Sequence, residues 1–160
     1  MKNIRLNSRT ATLVAVGGMI AATSVFGATS ASATVTVSTN CNWTGGLYLR
    51  YNSDFKGAEA DICNDLFDYA GWSVYNGSSL DTAHLVFAAG DGGSAGAGTS
   101  VKNNAAAVAN WSATAGVSYT VYFHSGYSGA AQSIPWTHDG YPVNLNSSLK
   151  NNNASQRAFA

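Results

Sequence analysis

Few side chains in this 160-residue chain could do chemistry: two cysteines, three histidines and eight acidic residues. Asp54, Glu59, Asp61 and Asp65 fall close together, and a pair of them could act as the two carboxylates of glycoside hydrolysis. They sit on and around a hairpin tip, however, where a solvated acidic edge is the commoner arrangement. His84, His124 and His138 are isolated from one another, and no ligand spacing supports a zinc site. The patterns HExxH, GxSxG and CxxC are absent. Gly90–Gly98, GDGGSAGAG, lacks the Lys-Ser/Thr and the helix of a phosphate loop. The chain is expected not to be an enzyme. Cys41 and Cys63 have no local signature of a nucleophile, and in an exported protein such a pair is expected to form a disulfide.

The elements that position these residues repeat. Tyr51 to Ile62, YNSDFKGAEADI, recurs 72 positions later as Phe123 to Ile134, FHSGYSGAAQSI. Each copy keeps an aromatic, a Ser two residues on, a second aromatic and then a Gly. Each is followed by a matching tail, VKNNAAAVANW from Val101 and LKNNNASQRAF from Leu149. Two features repeating in one order indicate a duplicated supersecondary unit. The stretch between them is 24 residues longer in the first copy. Gly57 and Gly129 sit where a strand folding back over its own hairpin needs φ > 0.

Turn signals every 8 to 12 residues, with little helical periodicity, predict an all-β sandwich. Strands are expected at Gly46–Tyr51, Ala58–Ile62, Leu85–Ala88, Ala107–Trp111, Ser118–Phe123 and Ala130–Ile134. Asp65–Gly71 is expected as one helical turn, capped by Asp65 and ended by Gly71. Gly90–Gly98 reads as a mobile loop too glycine-rich to pack.

The N-terminus reads as a secretory signal over residues 1–33. It has a basic start at Lys2, Arg5 and Arg9, an apolar stretch from about Ala11 to Phe26, and the small-x-small triplet Ala31-Ser32-Ala33. That stretch is short for a membrane span, so no membrane anchor is expected. Residues 34–160 are then one secreted, extracellular domain. Five basic residues remain there against eight acidic ones, a net charge of −3. No basic stripe exists to bind nucleic acid.

The residues YNSDFKG with KNNAAAV, and YFHSGYSG with KNNNASQ, resemble the two Greek-key motifs of a βγ-crystallin superfamily domain. Motif one covers about 46–111, with an insertion at about 68–98, and motif two about 117–159. Within that superfamily the chain looks most like the secreted bacterial peptidase inhibitors, whose characterised member inhibits metalloproteinases. The resemblance implies a monomeric inhibitor of a secreted peptidase, a metallopeptidase, presenting a rigid loop to its cleft. A cell-wall or carbohydrate-binding module, or a calcium-stabilised structural protein, of the same fold are the alternatives. No cofactor is required.

The same resemblance places calcium ligands at Asn103, Asn104, Ala107 and Val108, and at Asn151, Asn152, Ser155 and Gln156. Calcium prefers six to eight hard oxygens. Ala107 has no side-chain oxygen and no carboxylate is present, so any site here, at Asn104, Asn152, Asn153 and Ser155, is expected to be weak; the asparagines can equally cap turns. Of the aromatic residues, Trp111 and most tyrosines are expected as core or hairpin aromatics, as the alternating pattern favours. Trp72 and Trp136 fall outside the repeat pattern, and with Tyr75 they are the candidate partner-binding residues, against a secreted peptidase or a wall glycan.

Overall fold

The computed structural model describes residues 33–41, 45–76 and 79–160. The residues expected to form a signal segment, Trp43 and residues 77–78 lie outside the described residues. The protein is all-β, with ten strands and no helix among the described residues. They are β1 (Thr34–Val37), β2 (Leu47–Asn52), β3 (Lys56–Ile62), β4 (Trp72–Asn76), β5 (Ser79–Leu85), β6 (Ala107–Asn110), β7 (Ser118–His124), β8 (Ser128–Ile134), β9 (Val143–Asn144) and β10 (Ser155–Phe159). Three sheets have the orders β3-β2-β6-β9, β10-β7-β8 and β1-β5-β4.

The sequence repeat is a structural repeat. β2 pairs antiparallel with β3 and β6 as β7 does with β8 and β10. The register slips at Arg50/Asn52 in one copy and at Tyr122/His124 in the other. Each hairpin folds back through left-handed backbone: φ is 58°, 57° and 80° at Asp54, Phe55 and Gly57, and 78°, 57° and 83° at Gly126, Tyr127 and Gly129. Both expected glycines therefore take φ > 0, at little steric cost. The Asn loops match too, with φ of 62° at Asn103 and 58° at Asn151.

The two copies also exchange chain. β9, from the second, pairs with β6 of the first, and Leu145 N–H donates to Ala106 O at 3.0 Å. In return Leu66 exchanges two backbone bonds with Gln156, and Tyr69 N–H donates to Ala154 O at 2.8 Å. Asp65–Gly71 is accordingly not a helical turn. Pairing with β10 satisfies its backbone, and Leu66 and Tyr69 are buried in the shared core. That core joins Leu47, Leu49, Ile62, Tyr119, Val121, Ile134, Leu145 and Leu149 from both copies.

The additional chain of the first copy lies between Tyr69 and Val101. It contributes β4 and β5, which form the third sheet with β1 running parallel to β5. The expected strand Leu85–Ala88 is shifted: β5 ends at Leu85, and Val86 and Ala88 make only single bridges. Gly90–Gly98 is not a loop free of packing. Gly57 N–H donates to Gly92 O at 2.7 Å and Ala58 N–H to Ala95 O at 2.9 Å, so the glycine run caps the open edge of β3. The unpaired donors of an edge strand overrode its composition.

Cys41 and Cys63 are joined, as expected, with Cα atoms 5.0 Å apart. The bond ties the segment after β1 to the end of β3, where Asn40 Oδ1 also accepts from Cys63 N–H at 2.8 Å. A 22-residue separation restricts the unfolded chain, worth about 3 kcal/mol. Replacing both cysteines by serine should therefore lower unfolding free energy by about that amount in denaturant titration, and an unchanged midpoint would refute it.

Candidate functional site

The expected calcium residues are tied into the fold. Asn104 Nδ2 donates to Ser100 O at 3.1 Å and Lys102 O at 3.0 Å, and Asn152 Nδ2 to Lys150 O at 3.4 Å, so both brace their own turns. Asn153 is fully buried, donating to Ala105 O at 2.7 Å and Leu149 O at 2.8 Å. Ser155 Oγ donates to His124 O at 2.7 Å and accepts from Tyr127 N–H at 3.2 Å, which pins the second folded hairpin. Two of the four are thus committed to packing, and no carboxylate joins them. This donor set does not fit a calcium ion.

Of the candidate partner-binding residues, only Tyr75 stands free, 82% exposed on β4. Trp72 is half-buried against the core. Trp136 is half-buried with its indole N–H donated to Ser112 O at 3.0 Å. His84 Nε2 lies 2.9 Å from Ser100 Oγ. No carboxylate orients its other nitrogen, and the bond fastens β5 to the turn before Val101, beside the Val86–Ser100 bridge.

A cavity of about 270 Å³ opens on the outer face of the first sheet, lined by Tyr48, Arg50, Phe55, Glu59, Asp91 and Trp111. Strand alternation builds it. Leu47 and Leu49 point into the core, so Tyr48 and Arg50 point out; Ala58 and Ala60 point in, so Glu59 and Asp61 point out. On β6, Val108 and Asn110 take the inward positions. The Asn110 amide donates to Val117 O at 2.9 Å and Ile134 O at 3.2 Å, joining the two copies. Trp111, expected as a core or hairpin aromatic, therefore faces outward from the sheet and is 47% exposed. Gly140 backs its ring: a Cβ there would stand 2.4 Å from the indole.

Arg50 organises the cavity although it is itself only 2% exposed. Its Nη2 pairs with Glu59 at 2.7 Å and with Asp91 of the glycine run. Its Nη1 donates to Gly57 O at 3.2 Å, and Phe55 lies over the guanidinium at 4.5 Å. The same guanidinium holds the Asp91 carboxyl below the usual range. Behind this group, burial and then Glu59 push the Asp61 carboxyl up to about 6, and burial and then Asp61 push up the Tyr48 hydroxyl. Alternation in the sequence carried the signal for Tyr48, Glu59 and Trp111; nothing in it marked Asp91.

Comparison with known proteins finds no matching family model, no matching curated sequence and no matching solved structure.

Two measurements follow from this chemistry. Ser155→Ala leaves the half-buried Tyr127 N–H without its acceptor and should cost about 1 kcal/mol of stability, with no calcium heat in calorimetry for either protein. Asp61 binds its proton more tightly folded than unfolded. Its contribution to stability is complete below the ordinary value of 3.8 and is lost as pH rises to about 6. Asp61→Asn should thus be more stable than the parent at pH 7 and not at pH 3, in paired thermal melts; a gain equal at both would remove Asp61 as the cause.

Proposed function

We propose that the two copies are Greek keys of the βγ-crystallin kind and that the protein is a secreted inhibitor of an extracellular peptidase, a metallopeptidase. Support for the fold comes from the paired left-handed hairpins, the matching Asn loops and the exchange of β9 for Leu66–Tyr69. Support for export comes from the signal-like N-terminus and the disulfide. No helix of the described residues is long and apolar enough to cross a membrane.

The observation that carries inhibition is the third sheet. The second copy closes from Leu145 to Leu149 in a single turn, whereas the first spends the chain from Tyr69 to Val101 on an added layer. Tyr75 and Leu80 are register partners near the outer end of that layer, 82% and 49% exposed. The layer beneath them is anchored by buried Ala83 and Leu85 and by half-buried Trp72. Exposed apolar side chains on a rigid support are what a tight, pre-organised inhibitor presents: an aromatic anchor enters the partner with little ordering cost.

Purified mature protein should slow at least one metallopeptidase in a panel of metallo-, serine and cysteine peptidases. Tyr75→Ser with Leu80→Ser should weaken that inhibition by about tenfold or more without moving the thermal midpoint. A parent protein that inhibits none of the panel would defeat the reading of function. Undiminished inhibition by the double variant would defeat only the placement.

A further inference from the structure

The cavity around Trp111 lies on a different sheet from Tyr75 and Leu80 and takes no part in the inhibitory reading. We propose that it binds a neutral glycan, with one pyranose ring against Trp111 and its hydroxyls donated to Glu59 and Asp91. At about 270 Å³ the cavity lies just below the size that holds a drug-sized ligand, which suits one sugar ring. Its polar groups are of the types a sugar needs. Arg50 Nη2 engages one oxygen of each carboxylate, and the remaining oxygens can accept from sugar hydroxyls. The Trp111 indole N–H has no partner among the described residues and can donate, as can the Tyr48 hydroxyl.

The site is pre-organised. Gly140 packs on Trp111, and Phe55 and Arg50 lock one another, so little side-chain entropy is lost on binding. A cationic guest fits less well, because Arg50 already occupies the position between the carboxylates. A polymer fits better than a monosaccharide. A second depression, about 130 Å³ and lined by Asp54, Phe55, Pro142, Val143 and Asn144, shares the Phe55 wall. The ring of Tyr141, beside Gly140, is 67% exposed along the same face.

The test is calorimetry of the mature protein with di- to hexasaccharides of β-1,4-linked glucose and of β-1,4-linked N-acetylglucosamine, and co-sedimentation with purified peptidoglycan. The two sugar series and the wall preparation separate a plant-type glucan from a bacterial wall as the source. At least one series should bind, more tightly as the chain lengthens. Trp111→Ala should weaken binding by about tenfold or more, and Phe159→Ser, on the edge strand β10 of the second copy's sheet, should leave it unchanged. Should Trp111→Ala fail to fold by circular dichroism, Asp91→Asn serves instead, since that side chain is 86% exposed, and it should weaken binding severalfold. Silence of the parent protein toward every glycan, full binding by the folded variant, or binding of hexalysine in place of the sugars would each overturn the proposal.

Discussion

The structure of the first copy depends on one buried cation. Arg50 sits on the outer side of its sheet, where a guanidinium would ordinarily be wetted, yet it is covered by Phe55 and almost wholly removed from water. Such burial is tolerable only because its charge is met by Glu59 and Asp91 and one of its donors by Gly57 O. Each partner belongs to a different piece of chain. Gly57 closes the folded hairpin, Glu59 lies on β3 beyond it, and Asp91 comes from the glycine run more than thirty residues later. Glu59 and Asp91 share the compensation of this charge, so the cation draws the hairpin, the strand and the loop together.

Much of the fold was legible in the sequence because it was written twice. The recurrence of aromatic, Ser, aromatic and Gly fixed both hairpins, and the left-handed backbone at Gly57 and Gly129 follows from the physical demand that placed them. The Cys41–Cys63 bond was legible from cysteine number and the signal-like N-terminal sequence. What failed were positions decided by distant partners. Asp65–Gly71 looked like a helical turn because Asp65 could cap it and Gly71 end it, but the second copy supplies a strand for Leu66 to pair with. Gly90–Gly98 looked unable to pack because it has almost no side chains, yet backbone alone suffices to cap β3. Trp111 reads as a core or hairpin aromatic, whereas the parity of Val108 and Asn110 puts it on the outer face. The site was thus half legible: its outward residues obey alternation, and its contribution from Asp91 depends on a tertiary contact.

The two copies have diverged in how they treat the same strand. β3 is covered along its outer edge by Ala88, Gly92 and Ala95. β8, its counterpart, has no such cover, and Ser128–Ala131 are exposed. Divergence extends to the pins beneath the hairpins. The second is held by Ser155, whereas the position equivalent to Ser155 is Ala107 in the first. There Asp54 is held instead by Asn144, whose oxygen accepts from its backbone N–H at 2.7 Å and whose amide donates to its carboxylate at 3.0 Å. The same geometry is kept by different chemistry, which marks the hairpin shape itself as the constrained quantity.

The exchange of segments between the copies sets the order in which the chain can acquire structure. Leu66 waits for Gln156, and the carboxylate of Asp65 accepts from Ala158 N–H, 93 positions further along. The sheet β10-β7-β8 is complete only when almost the last residue is present, and β3-β2-β6-β9 waits for β9 at residues 143–144, so both close long loops. The pairings of greatest sequence separation are thus the ones made by the C-terminal strand. Loss of the last strand would therefore remove the partner of Leu66 and one edge of the β7–β8 sheet together.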